Sequence, residues 1–133
     1  MANTELEATR AITLFIVEDD LHFRETFIDV MSLRGVDTFG AGSAGEALFA
    51  LRTMRPSVII LDVKLPDIHG FELCRRLRRF EHLQKVPIIM ISASTQYNDP
   101  RDRVEGVLAG AALFLSKPIT MDQLWSENES LLG

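Results

Sequence analysis

Several short apolar runs in this sequence stop at residues that could do chemistry together. Thr13 to Val17 runs into Glu18-Asp19-Asp20, and Val58 to Leu61 runs into Asp62. Pro87 to Ile91 runs into Ser92, and Ala112 to Leu115 runs through Ser116 into Lys117-Pro118. Carboxylates, a hydroxyl and an ammonium gathered at one edge suit a magnesium-assisted phosphoryl transfer onto an aspartate. Magnesium takes six hard oxygen ligands, and a carboxylate can attack a phosphoryl group. Such a transfer asks the protein mainly for positioning and charge neutralisation. Carboxylates brought this close also need a cation, because like charges push one carboxyl pKa upward.

The elements that must position these residues are legible from the pattern. The apolar runs are short and β-branched and are separated by helix-like stretches, which is the signature of buried parallel strands. In an open α/β sheet, ligands bind at the carboxyl ends of the strands. Helix one has Phe23, Phe27, Val30, Met31 and Leu33 at inward spacings and closes at Gly35. A short second strand is expected over Val36 to Phe39. Ser43 and Glu46 form a capping box, Ala44, Ala47, Leu48 and Leu51 face inward, and Arg55-Pro56 ends that helix. Helix three is expected from Gly70 to Phe80, with Cys74 on its apolar side beside Leu73 and Leu77. Asp99-Pro100 opens helix four. Thr120 and Gln123 cap helix five, whose inward face takes Met121, Leu124, Trp125 and Leu131. Arg75, Arg76, Arg78 and Arg79 read as a solvated helix end favoured by the dipole. His22, His69 and His82 have no ligand spacing.

Composition bounds the function. The chain has 133 residues, enough for one domain with a single core. With 14 basic and 19 acidic residues the net charge is −5, which disfavours direct nucleic-acid binding. No apolar stretch reaches the about 18 residues of a membrane span, and no signal peptide opens the chain. The single cysteine suits a reducing cytoplasmic compartment. Residues 1–11 are expected to be a flexible tail and 12–133 the folded domain.

Val17-Glu18-Asp19-Asp20, Asp62 to Gly70, Ile91-Ser92-Ala93 and Lys117-Pro118 resemble the motifs of bacterial response-regulator receiver domains. The likeness runs from Thr13 to Leu132. It implies a flavodoxin-like (βα)5 fold, with a parallel sheet in order 2-1-3-4-5 and helices on both faces. It implies Asp62 as phosphoacceptor, with Ser92 and Lys117 assisting, and Mg2+ held by Glu18, Asp19, Asp62 and the Lys64 carbonyl. Val63, Ser92, Ala93 and Lys117 would surround the phosphoryl group, and Ser92 and Phe114 would act as the switch. The implied partners are a histidine kinase or histidine phosphotransfer protein and a downstream output domain or protein.

The sequence departs from that pattern in places. Ala112-Leu113 stand where charged residues often precede the switch aromatic, which argues against a charge-laced symmetric dimer. The Ser94 to Arg101 loop is long and carries Tyr97. Lys64 and Ser94 occupy variable positions expected to tune dephosphorylation. An aspartyl-phosphate phosphatase would need a D-x-D nucleophile on the first strand. A flavin module would need a glycine- and hydroxyl-rich loop there instead of acids. A phosphate-independent interaction domain is the remaining alternative.

Overall fold

The computed structural model describes residues 12–92, 100–116 and 120–132. The order is β1 (Thr13–Val17), α1 (Leu21–Leu33), β2 (Asp37–Ala41), α2 (Ala44–Leu51), β3 (Val58–Asp62) and α3 (Gly70–Arg78). A 3-10 turn (Glu81–Leu83), β4 (Ile88–Ser92), α4 (Pro100–Leu108), β5 (Leu113–Ser116) and α5 (Met121–Leu132) follow. All strand pairings in the sheet are parallel, and its order is β2-β1-β3-β4-β5, as the resemblance implied.

The period-two alternation of the strands splits the core into two layers. Phe15, Val17, Ile59, Leu61, Ile88 and Met90 face α2 and α3. Leu14, Ile16, Val58, Ile60, Ile89 and Ile91 face α1 and α5. Both faces of the three central strands are therefore covered, which is why these runs are apolar throughout rather than alternating.

Local departures have local causes. β2 starts one residue late and runs to Ala41, because Glu18 N–H donates to the Ala41 carbonyl and extends the ladder. Leu33 is 88% exposed rather than inward. It lies about 200° round the helix from buried Met31, beyond the stripe of Phe23, Phe27 and Met31. α2 ends at Leu51, before the Arg55-Pro56 stop, and α3 gives way to the 3-10 turn after Arg78. Gly35 has φ +76°, the left-handed conformation that ends α1. The Thr120–Gln123 box is reciprocal, with N–H···O distances of 3.1 and 2.9 Å. In the Ser43 box, by contrast, the Glu46 carboxylate accepts from Gly42 N–H at 2.7 Å, one residue before the cap.

Arg78 corrects the reading of a solvated arginine cluster. Its guanidinium donates to the carbonyls of Gly110, Leu83, Gln84 and Val86. One planar fork on the last residue of α3 thus satisfies carbonyls of the 3-10 turn, of the approach to β4 and of the α4–β5 turn. Arg75 and Arg76 do stay at the surface, where they pair with Glu72 and Glu105. Cys74 is buried, and desolvation pushes its thiol pKa up to about 11, as fits an unreactive core residue.

Candidate metal and phosphoryl site

The carboxyl edge of the sheet assembles the acids. Asp20 caps α1, accepting from Phe23 N–H at 3.1 Å, so it serves the helix. Arg24, one turn further on, donates from its guanidinium to the Glu18 carbonyl and ties the acidic turn down. Its stem lies 3.0 Å from where a Cβ on Gly40 would sit, so the glycine on β2 gives it close room. Glu18 is 1% and Asp62 5% exposed, while Asp19 faces solvent. Carboxylate oxygens of Glu18, Asp19 and Asp62 lie within 4.8 Å of one another. Three hard anionic ligands converging at a half-buried point fit the requirements of Mg2+.

Asp62 ends β3 beside β4, in register with Ile91. Its Oδ1 accepts from Lys64 N–H at 3.1 Å. Val63, named above at the phosphoryl group, donates its amide to the Ile91 carbonyl at 2.9 Å as a rung of the sheet. Alternation along an extended strand sends successive amides to opposite neighbours, which gives the position beside Asp62 to Lys64. Gly70 opens α3 directly against this turn, donating to the Val63 carbonyl at 2.7 Å. Ser92 ends β4, is buried, and pairs with Ser116 at the end of β5. Lys117 follows Ser116 but lies outside the described residues, as do Ala93, Ser94, Tyr97, Asp99 and Pro118.

Phe114 is buried on β5. Its ring packs 6.2 Å from that of Phe71 and within 3.1 Å of where a Cβ on Gly106 would be. The Arg103 guanidinium lies over it at 5.7 Å. The fold therefore links α3, α4 and β5 through one aromatic ring.

Sequence reasoning missed several residues that shape the site. Asp67 accepts from Ala44 and Gly45 N–H at 3.0 and 2.8 Å, tying the loop after Asp62 to the start of α2. Nothing in the sequence signals a cap supplied from 22 or 23 residues away. His69, read as having no role, caps α3 by accepting from Phe71 N–H at 3.2 Å; its place just before the helix start was the available clue. Slight burial raises the Asp67 carboxyl pKa, but the Ala44, Gly45 and Ile68 amides outweigh this and hold it below 3.8. A folded pKa below the unfolded one gives stability that is fully present above 3.8 and lost as pH falls through the folded value. Asp67→Ala is expected to cost about 1 kcal/mol at neutral pH. The gap to wild type should close in acid urea melts; a pH-independent difference would contradict the assignment.

Comparison with known proteins agrees with this geometry. Residues 14–128 match the response regulator receiver domain family. The chain belongs to that family. It is a receiver domain of two-component signal transduction, a signalling module rather than a classical enzyme. It is 39% identical over 107 residues to the transcriptional regulatory protein AfsQ1 of Streptomyces coelicolor, covering 80% of this chain and 45% of the relative. It is 36% identical over 120 residues to the transcriptional regulatory protein GltR of Pseudomonas aeruginosa, covering 90% of this chain and 48% of the relative. The chain thus spans about half the length of the curated relatives it matches. Among solved structures, the chemotaxis response regulator CheY4 of Vibrio cholerae superposes with a TM-score of 0.84 at 27% identity, covering 91% of this chain and 98% of that one. A response regulator from Chloroflexus aurantiacus gives 0.81 at 33% identity, covering 91% and 97%. No helix among the described residues is long and apolar enough to cross a membrane.

Proposed function

We propose that this chain accepts a phosphoryl group on Asp62 from a phosphohistidine donor, either a histidine kinase or a histidine phosphotransfer protein. The observation that carries the reading is the convergence of Glu18, Asp19 and Asp62 within 4.8 Å at the end of β3. Glu18, Asp19, Asp62 and the Lys64 carbonyl would hold Mg2+, which when bound neutralises charge on the transferring group. An Asp62 carboxylate oxygen forms the new O–P bond as the donor's N–P bond breaks, in line. The Lys64 amide, with the Ser92 hydroxyl, the Ala93 amide and the Lys117 ammonium, would take up the equatorial oxygens.

The receiver unit spans 12–133 and acts in the cytoplasm, assisting its own phosphorylation and dephosphorylation. Its output is a shift between two arrangements in which Ser92 moves onto the phosphoryl group and the Phe114 ring repacks. The surface that changes is α4, β5 and α5. Relatives at 35% identity over 111 residues are named DNA-binding response regulators, so an output domain or protein that contacts DNA is the proposed recipient. The receiver itself makes no nucleic-acid contact. Beryllofluoride with Mg2+ should shift amide resonances mainly in α4, β5 and α5, and none in Asp62→Ala. Unchanged wild-type spectra would refute the phosphoacceptor reading, and changes confined to α1 and α2 would refute the output face.

A further inference from the structure

On the opposite side of the molecule from α1 and α5, α2 and α3 leave an open groove between them, of about 580 Å³. It is lined by Leu48, Phe49 and Arg52 from α2, and by Arg76, Arg79 and Phe80 at the α3 end. Phe49 is 68% exposed and adjoins the half-buried Leu48 and Phe80, so the three form a continuous apolar floor. The Arg52 guanidinium lies over that ring at 4.4 Å. Stacking of this kind fixes the planar fork while leaving its N–H edge open to a carboxylate. Arg76 is occupied by Glu72 at 3.2 Å. Neither Arg52 nor Arg79 forms an ion pair among the described residues. A chain of net charge −5 thus places three arginines round an apolar floor in this groove.

We infer that the α2–α3 groove docks an acidic, amphipathic polypeptide segment of a partner protein. An aromatic or aliphatic side chain of the partner fills the floor between Phe49, Leu48 and Phe80. Carboxylates of the same segment bind Arg52 and Arg79. The pairing follows from charge complementarity, which selects the partner and speeds encounter. Glu72, paired with Arg76 on α3, and Glu81, next to Phe80, put negative charge close to the lining residues. That placement disfavours a continuous polyanion such as nucleic acid and favours discrete acids set between apolar side chains.

The test titrates the whole chain with a synthetic amphipathic peptide of Glu, Leu, Phe and Ala, following amide resonances. Shifts should centre on Leu48, Phe49, Arg52, Arg76, Arg79 and Phe80. The double variant Arg52→Glu with Arg79→Glu should weaken the peptide by about tenfold or more, and so should Phe49→Ser. Both variants should retain wild-type circular dichroism, since these side chains are exposed. The proposal is overturned if a peptide with Lys in place of Glu binds equally, or if the double variant binds as wild type does. It is also overturned if polyphosphate produces the same shifts as the peptide, which would mark charge attraction alone. Concentration-dependent shifts of these residues without peptide would make the occupant a second copy, and would likewise overturn it.

Discussion

Asp19→Asn should weaken Mg2+ binding by at least about tenfold, because the substitution removes a hard anionic ligand from a site that has three. In the wild type, adding Mg2+ should raise the melting temperature. The ion binds only where folding has brought Glu18, Asp19 and Asp62 together, so its binding energy adds to folding energy. Asp19→Asn should also make the metal-free protein more stable than wild type, since it relieves repulsion among carboxylates within 4.8 Å of one another. Isothermal titration and paired thermal melts check both effects. Undiminished affinity in the variant would remove Asp19 from the ligand set.

Gly70→Ala should be strongly destabilising. A Cβ at Gly70 would stand 2.5 Å from the Asp62 carbonyl oxygen, 2.7 Å from Val63 Cα and 2.9 Å from the Val63 carbonyl oxygen. All three are backbone atoms at the end of β3, so none can swing aside. Overpacking a tight site costs about 1–3 kcal/mol or more, and the upper end applies where backbone must move. The displaced strand end carries Asp62, so phosphorylation should fall with stability. Gly45→Ala is the matched control, because its Cβ would make an ordinary 3.5 Å contact with Asp67. In a helix, that change should be neutral or slightly stabilising. Urea melts of the two variants separate the effects; equal destabilisation would contradict the close approach of α3 to the phosphoryl turn.

Much of this arrangement was readable from the chain because the signals were local. Apolar runs of four or five residues marked β1, β3, β4 and β5, and each ended at a polar residue on the carboxyl edge. Capping boxes placed the starts of α2 and α5. Residues whose partners lie far along the chain were misread or missed. Arg78 looked like one of four surface cations, yet its acceptors include Gly110, 32 residues away. Asp67 serves a helix that starts 23 residues earlier. The strand order, too, came from likeness to a family, since periodicity records which face a residue takes but not which strand lies alongside. Val63 shows a finer limit: only the ladder decides which of two consecutive amides reaches the carboxylate.

The central claim is that Asp62 is the atom-level acceptor, and covalent mapping tests it most directly. The protein is incubated with acetyl phosphate and Mg2+, then reduced with borohydride, which converts an acyl phosphate to an alcohol. Peptide sequencing should then find homoserine in place of Asp62, dependent on Mg2+, with no conversion elsewhere and none in Asp62→Ala. Conversion at another acid, or a phosphate on Ser92 that survives mild base, would contradict the account.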